Sequence, residues 1–207
     1  MRRVLVLYAH PGQSHAKANS LMATTASALK DVTVVDLYAE YPRLKINVDK
    51  EQERLINHDV IVFQFPVYWY STPSLLKEWQ DLVLEYGFAY GPGGHQLAGK
   101  LCLLAMTAGG PAEAYRADGT NHFTLRTLFS PFEQTARLCQ MDYLAPLALL
   151  SSLSARDDGR IEQHAFAYGE LLTALRDDRL DIGAARALDL MSATNLPIQP
   201  ARPEPMP

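Results

Sequence analysis

Asp59-Val60-Ile61-Val62-Phe63-Gln64-Phe65-Pro66-Val67-Tyr68-Trp69-Tyr70-Ser71-Thr72-Pro73-Ser74-Leu75-Leu76-Lys77-Glu78-Trp79-Gln80-Asp81 joins an apolar strand to an amphipathic helix through an aromatic, proline-bounded turn. The run Asp59 to Phe65 has the length and β-branched content of a strand buried on both faces, which points to a parallel sheet. Ligands of open parallel sheets collect where the strands end. Read alone, the turn is either a tight connection whose tryptophans only pack or a holder for a flat ring. Trp79 falls with Leu75, Leu76, Leu82 and Val83 on one apolar surface and reads as core.

Working outward, short apolar strands alternate with helical stretches. Strands are expected at Arg3 to Tyr8, Val32 to Leu37, Val60 to Phe65, Leu101 to Met106 and Tyr143 to Leu149. Helices are expected at His15 to Lys30, Asp49 to Asn57, Pro73 to Glu85, Phe123 to Leu138 and Ile161 to Arg176. No G-x-G-x-x-G follows the first strand. This βαβα rhythm favours a flavodoxin-like α/β three-layer sandwich, with a five-stranded parallel sheet of order 2-1-3-4-5, over a dinucleotide-binding Rossmann fold. The flavodoxin-like domain is expected to span residues 1 to 178. Residues 179 to 207 form a proline-rich extension, weakly helical at Ala184 to Met191, that packs on the domain or on a dimer partner.

The 207 residues suffice for one substantial core. A formal net charge of -4 and 20% charged residues give no electrostatic reason to expect nucleic acid. Cys102 and Cys139 lie in apolar stretches without CxxC spacing and read as buried thiols of a reducing cytosol; neither a disulfide nor a metal site is expected. No apolar run is long enough to span a bilayer, and a cytoplasmic protein is expected.

Four segments carry candidate chemistry. The first strand runs into His10-Pro11-Gly12-Gln13-Ser14-His15-Ala16-Lys17-Ala18-Asn19, a polar loop feeding a helix N-terminus, where unpaired amides and the helix dipole favour a phosphate. His10, Ser14 and Asn19 complete that cradle, although Ser14 also reads as a simple N-cap. In the second segment, Pro66, Val67, Tyr68 and Trp69 sit at a strand's carboxyl end. Free amides of Val67 to Trp69 there would donate to a flavin ring, with Trp69 or Tyr68 covering its face. The third, Thr107, Ala108, Gly109 and Gly110, brings backbone close to a flat ligand. The fourth runs from Tyr115 to His122, a phenol and an imidazole suited to charge stabilisation and proton delivery, or to an ordinary surface loop. Gly94 to Lys100 imitates a phosphate-binding P-loop but has Leu101 where Ser or Thr is required, and its lysine opens a strand.

His10-Pro11 with Asn19, Phe65 to Trp69 with Pro73 and Leu76 to Trp79, Phe88-Ala89-Tyr90-Gly91, and Thr107 to Gly110 together resemble the NAD(P)H:quinone oxidoreductase family of DT-diaphorase type. The likeness extends from about residue 3 to 175. It is nearest to short bacterial members, including ancillary subunits of glutathione-gated potassium-efflux antiporters. The resemblance implies a homodimer with one non-covalent flavin per subunit, FMN or alternatively FAD. NADPH or NADH and a quinone would use one pocket in turn in a two-electron ping-pong cycle. It also implies catalytic roles for Tyr115 and His122. As alternatives, it implies an ancillary role at a membrane potassium antiporter, peripheral to the inner membrane, or an electron-carrying flavodoxin. The chain departs from the family pattern at Ala16, Tyr68 and Ala108, where a Ser, a Gln and a Thr are usual.

Overall fold

Val60–Pro66 (β3) lies at the centre of the sheet between Val4–Tyr8 (β1) and Leu101–Thr107 (β4), and every residue of the three strands is buried. Strands covered on both faces need no polar alternation, so these runs are nearly continuous in aliphatic and aromatic residues. Val32–Asp36 (β2) flanks β1. Asp142–Tyr143 (β5) and Leu147–Leu149 (β6) both pair with β4. Every pairing is parallel and the order is β2-β1-β3-β4-β5, the flavodoxin-like 2-1-3-4-5 arrangement. The structure, a computed structural model, describes residues 1–12 and 17–200.

The helices are Lys17–Ser27 (α1), Leu37–Glu40 (α2), Val48–Ile56 (α3), Ser74–Val83 (α4), Leu125–Leu128 (α5), Ser130–Leu138 (α6), Arg160–Arg176 (α7) and Ile182–Ala187 (α8). Alternation along each strand divides the core into two layers. Leu5, Leu7, Ile61, Phe63, Phe65, Leu104 and Met106 meet the side of α3, α4 and α6, where Trp79 is wholly buried, as its helical spacing predicts. Val4, Val6, Val60, Val62, Leu103 and Ala105 meet Met22 of α1 and Tyr168, Leu171 and Leu172 of α7.

Two expected elements come divided. The fifth strand breaks between Tyr143 and Leu147: Leu144 N–H still bonds to Cys102 O (2.9 Å), but Ala145 N–H turns to Ala185 O (3.1 Å) and Pro146 has no donor for the ladder. The expected helix 123–138 becomes α5 and α6, interrupted at buried Phe129. Pro131 falls in the first turn of α6, where a missing N–H costs nothing.

Among the buried polar groups, Glu51 is fully enclosed and fully answered: it accepts from Tyr41 Oη (2.5 Å) and Trp79 Nε1 (3.0 Å) and pairs with Arg54. A carboxylate so enclosed survives only with such partners. Lys100 Nζ bonds to Ile56 O and His58 O, so this lysine caps the end of α3 instead of serving a P-loop. Cys102 and Cys139 are free and buried; burial pushes their thiols up to about 12 and about 11. The extension lies against the α1/α7 layer through buried Leu180, Ala185 and Met191. Among the described residues no helix is long and apolar enough to cross a membrane.

Candidate functional site

The parallel registers that align Tyr8 with Gln64 and Pro66 with Thr107 bring the exits of β1, β3 and β4 side by side at one end of the sheet. There a cleft of about 270 Å³ opens, and its walls include His10, Asn19, Pro66, Val67, Tyr68, Thr107 and Gly109. Seven residues from three separated segments thus converge as the strand-end rule requires.

Beneath the cleft is a buried polar relay. Gln64 Nε2 donates to Asn19 O (2.8 Å), and Asn19 Nδ2 donates to Thr107 Oγ1 (2.8 Å), which ties α1 to the ends of β3 and β4. His10 is nearly fully buried and accepts from Gly12 N–H at Nδ1 (3.1 Å), so the neutral ring carries its proton on Nε2. Its ring stands edge-on to Tyr68, with centroids 6.2 Å apart. Ser14 lies outside the described residues, as do its neighbours Gln13, His15 and Ala16.

The aromatic turn differs from its sequence reading. Val67 N–H is spent on Thr107 O (2.8 Å), and Tyr68 and Ser71 exchange both backbone bonds at 3.0 Å. Trp69 and Tyr70 therefore form a two-residue hairpin loop with φ of 48° and 61°. That is the primed turn usually built from Asn-Gly, and it costs about 1–2 kcal/mol at each non-glycine position. Of the three amides expected to be free, only that of Trp69 lacks a partner among the described residues. Its indole is 93% exposed and does not line the cleft; the aromatic side chain in the wall is Tyr68, whose phenol burial pushes above its ordinary range.

The Thr107 to Gly110 segment is fixed in the same manner. Ala108 N–H bonds to Leu149 O (2.9 Å), while Ala108 O and Gly110 O accept from Ser152 and Ser151. Gly109 N–H makes no such bond among the described residues. A Cβ on Gly110 would sit 3.1 Å from Cε2 of Tyr115, so the phenol uses the space a side chain would fill. Tyr115 is half-buried; its phenol is raised by burial, then by nearby Tyr70, against a backbone hydrogen bond from Gly110. His122 is exposed at a φ of 59°. Tyr70 Oη bonds to Asn121 Oδ1 (3.3 Å), linking the aromatic turn to the loop that carries His122. Ala108, Gly110, Tyr115 and His122 thus stand near the cleft without lining it.

Sequence reasoning missed one whole wall: Ser152, Leu153, Arg156 and Ile161, together with Lys17. The first four follow β6, and the rule that ligands gather at strand ends would have found them had it been applied to the fifth strand. Lys17 and Arg156 bring two cations to a cleft otherwise walled by apolar, aromatic, amide and hydroxyl groups and the His10 imidazole. That donor set suits an elongated ligand with a flat ring and an anionic end.

A family model described as flavodoxin-like fold matches residues 2–172. The chain belongs to this flavodoxin-like fold family. Within the family, it is 46% identical over 172 residues to the glutathione-regulated potassium-efflux system ancillary protein KefG of Enterobacter sp. strain 638, covering 83% of this chain and 93% of the relative. Three solved members of similar structure carry different names. A chain described as a thermophilic tryptophan halogenase from Streptomycin violaceusniger is 43% identical, with a TM-score of 0.78 over 80% of this chain and 96% of that one. General stress protein 14 of Treponema denticola, solved in complex with FMN, is 40% identical, with a TM-score of 0.79 over 84% and 99%. An NADPH-quinone reductase from P. pentosaceus is 31% identical, with a TM-score of 0.73 over 81% and 96%. Relatives on one flavodoxin-like scaffold thus carry different names, and the choice among activities falls to the site.

Proposed function

We propose that the chain is an FMN-dependent NAD(P)H:quinone oxidoreductase whose flavin occupies the cleft at the ends of β1, β3 and β4. The observation that carries this reading is the convergence of Pro66 to Tyr68, Thr107, Gly109, Lys17 and Arg156 on that one cleft. The residues present fit the group: the amide of Gly109, unpartnered among the described residues, suits the polar edge of a flat ring, and Tyr68 offers it an aromatic neighbour. Lys17, Arg156 and the start of α1 suit a phosphate. A bound FMN would supply acceptance of a hydride from NADPH or NADH and its delivery to a quinone. The Asn19–Thr107 bond fixes the start of α1 against the end of β4 beneath the cleft. Tyr115, held beside Gly110, and His122 are the groups we assign to charge stabilisation and proton delivery. The FMN-bound relative at 40% identity supports FMN over FAD.

In the same reading the chain acts as a homodimer, which would cover the exposed side chains of Trp69, Tyr70 and Phe123. The match to KefG across 93% of that protein favours a second role, as an ancillary subunit docked on a potassium-efflux antiporter at the membrane. The two roles are compatible on one polypeptide.

The test is an anaerobic titration of the purified full chain with FMN, then NADPH or NADH, then a benzoquinone, followed by absorbance. Stoichiometric flavin binding, bleaching by the nicotinamide and reoxidation by the quinone are expected. Binding without bleaching would leave only the ancillary or carrier role, and failure to bind flavin would overturn the reading.

A further inference from the structure

The segment 111–128 carries Tyr115 and His122, and its backbone folds mainly on itself, with Asn121 N–H on Ala114 O (3.0 Å) and His122 N–H on Gly119 O (3.0 Å). Among the described residues, the hydrogen bonds that take it beyond its immediate neighbours are those of Asn121 with Tyr70, of Thr124 with Asp189, and of Arg126 with Glu133, Arg186 and Leu188. Arg186, Leu188 and Asp189 all belong to the C-terminal extension, beyond the family match that ends at residue 172.

The chemistry of these ties is specific. Thr124 caps α5: its Oγ1 accepts from Thr127 N–H (3.2 Å) and donates to Asp189 Oδ1 (3.3 Å). The guanidinium of Arg126 serves two partners at once. Its Nε and Nη2 donate to the Glu133 carboxylate (3.2 and 3.3 Å), while Nη1 donates to Arg186 O (3.0 Å) and Leu188 O at the carbonyl end of α8. Carbonyls at a helix end lack intrahelical partners and carry the negative pole of its dipole, so a cation suits them. A planar fork of donors reaches both partners, which a lysine ammonium would not. The extension is itself a firm anchor. Met191 N–H bonds to Pro146 O (2.7 Å), Ala148 N–H bonds to Met191 O (3.1 Å), Arg186 pairs with Asp142, and Leu180, Ala185 and Met191 are buried.

The helix between them needs such ties. With four residues, α5 is about one turn, too short to hold itself together in water. Leu125 and the following Phe129 root it in the core, and Thr124 and Arg126, which flank Leu125 in sequence, fix its tilt about that root. His122 precedes Thr124 by two residues, at most about 7 Å of chain, so a shift at the cap is passed to the imidazole.

We propose that the extension positions the loop beside the cleft: Asp189 and the Arg186 and Leu188 carbonyls hold α5 through Thr124 and Arg126 and so set where His122 stands. The proposal rests on the catalytic reading of Tyr115 and His122. Arg126 and Asp189 act as positioning residues, and neither lines the cleft.

The test reads hydrogen exchange on the full chain, with and without added FMN, and flavin reduction by NADPH in stopped flow. In Arg126→Met the amides of 119–128 should exchange at least about tenfold faster while those of β4 keep their protection. Flavin reduction should slow roughly tenfold at saturating NADPH, with the affinities for FMN and NADPH unchanged. Arg126 also answers Glu133, so Asp189→Ala, on the surface, is the variant that spares the interior; it should move both readouts the same way by about threefold. Asp189→Asn keeps an acceptor for the Thr124 hydroxyl and should restore wild-type values. Unchanged exchange at 119–128 in both Arg126→Met and Asp189→Ala would overturn the proposal and leave the catalytic reading intact. Faster exchange with wild-type reduction rates would overturn the link between the extension and the site. Wild-type reduction by Tyr115→Phe with His122→Ala would instead refute the catalytic reading itself.

Discussion

Acidification should destabilise this protein through His164 in a way that one substitution removes. In the unfolded chain the imidazole protonates near its ordinary 6.5, but in the folded protein only near about 4, because burial penalises the charged ring and no charged neighbour offsets it. Between those values the unfolded state binds more protons, so stability is fully present above pH 6.5 and is lost as pH falls toward 4. At 1.36 kcal/mol for each pH unit, the loss attributable to this group reaches about 2–3 kcal/mol by pH 4.5. For a chain of this size that is a fall of roughly 5–10 °C in Tm. The assay is guanidinium unfolding of the wild type and His164→Leu at pH 7.5, 5.5 and 4.5. The leucine variant should at least match the wild type at pH 7.5, since it removes an unpaired polar group, and should pull ahead by about 2–3 kcal/mol at pH 4.5. His58, also lowered by burial, contributes equally to both proteins and cancels. Two curves that run parallel within about 0.5 kcal/mol from pH 7.5 to 4.5 would refute the reasoning.

Trp79→Phe withdraws a donor from buried Glu51 and should cost about 2–4 kcal/mol in urea unfolding with flavin content unchanged; a cost under 1 kcal/mol would mean that Tyr41 and Arg54 satisfy the carboxylate alone. Gly110→Ala should push the Tyr115 ring by a few tenths of an ångström and slow flavin reduction roughly tenfold in stopped flow without loss of flavin, an effect that vanishes in a Tyr115→Phe background. Tyr115→Phe with His122→Ala should slow reduction by the nicotinamide while flavin stays bound, and rates equal to wild type would remove both residues from the chemistry. Trp69→Ala should leave chain stability within about 0.5 kcal/mol but weaken self-association in sedimentation equilibrium by about 2 kcal/mol or more; unchanged association would put the dimer contact elsewhere.

The sheet was legible because its signals are local and redundant. Three fully buried strands cannot alternate in polarity, and the 3.6-residue spacing around Trp79 admits one face only. The elements that escaped depend on single residues acting at a distance. Pro146 divides the fifth strand by withholding one N–H. Trp69 and Tyr70 adopt positive φ without the glycine or asparagine that announces such a turn, because the Tyr68–Ser71 pair and the Tyr70–Asn121 bond hold them there. The cleft was half legible: the loops after β1, β3 and β4 read as ligand-facing, whereas Ser152 to Ile161 shows no motif and joins the site through the parallel register of β6 with β4 and the bonds of Ser151 and Ser152 to Gly110 and Ala108. The proline-rich extension shows no core-like periodicity in sequence, and its docking on the domain rests on three separated side chains, Leu180, Ala185 and Met191, all buried.

The bridge between Leu147 and Met191 also bears on how the molecule meets its own copies. β6 ends the sheet on its side, and an outermost strand presents a row of unused donors and acceptors to any extended segment in solution. By taking Ala148 N–H and Pro146 O for itself, the extension closes that row, so a chain stripped of it would offer neighbouring molecules a template for intermolecular strand addition and aggregation.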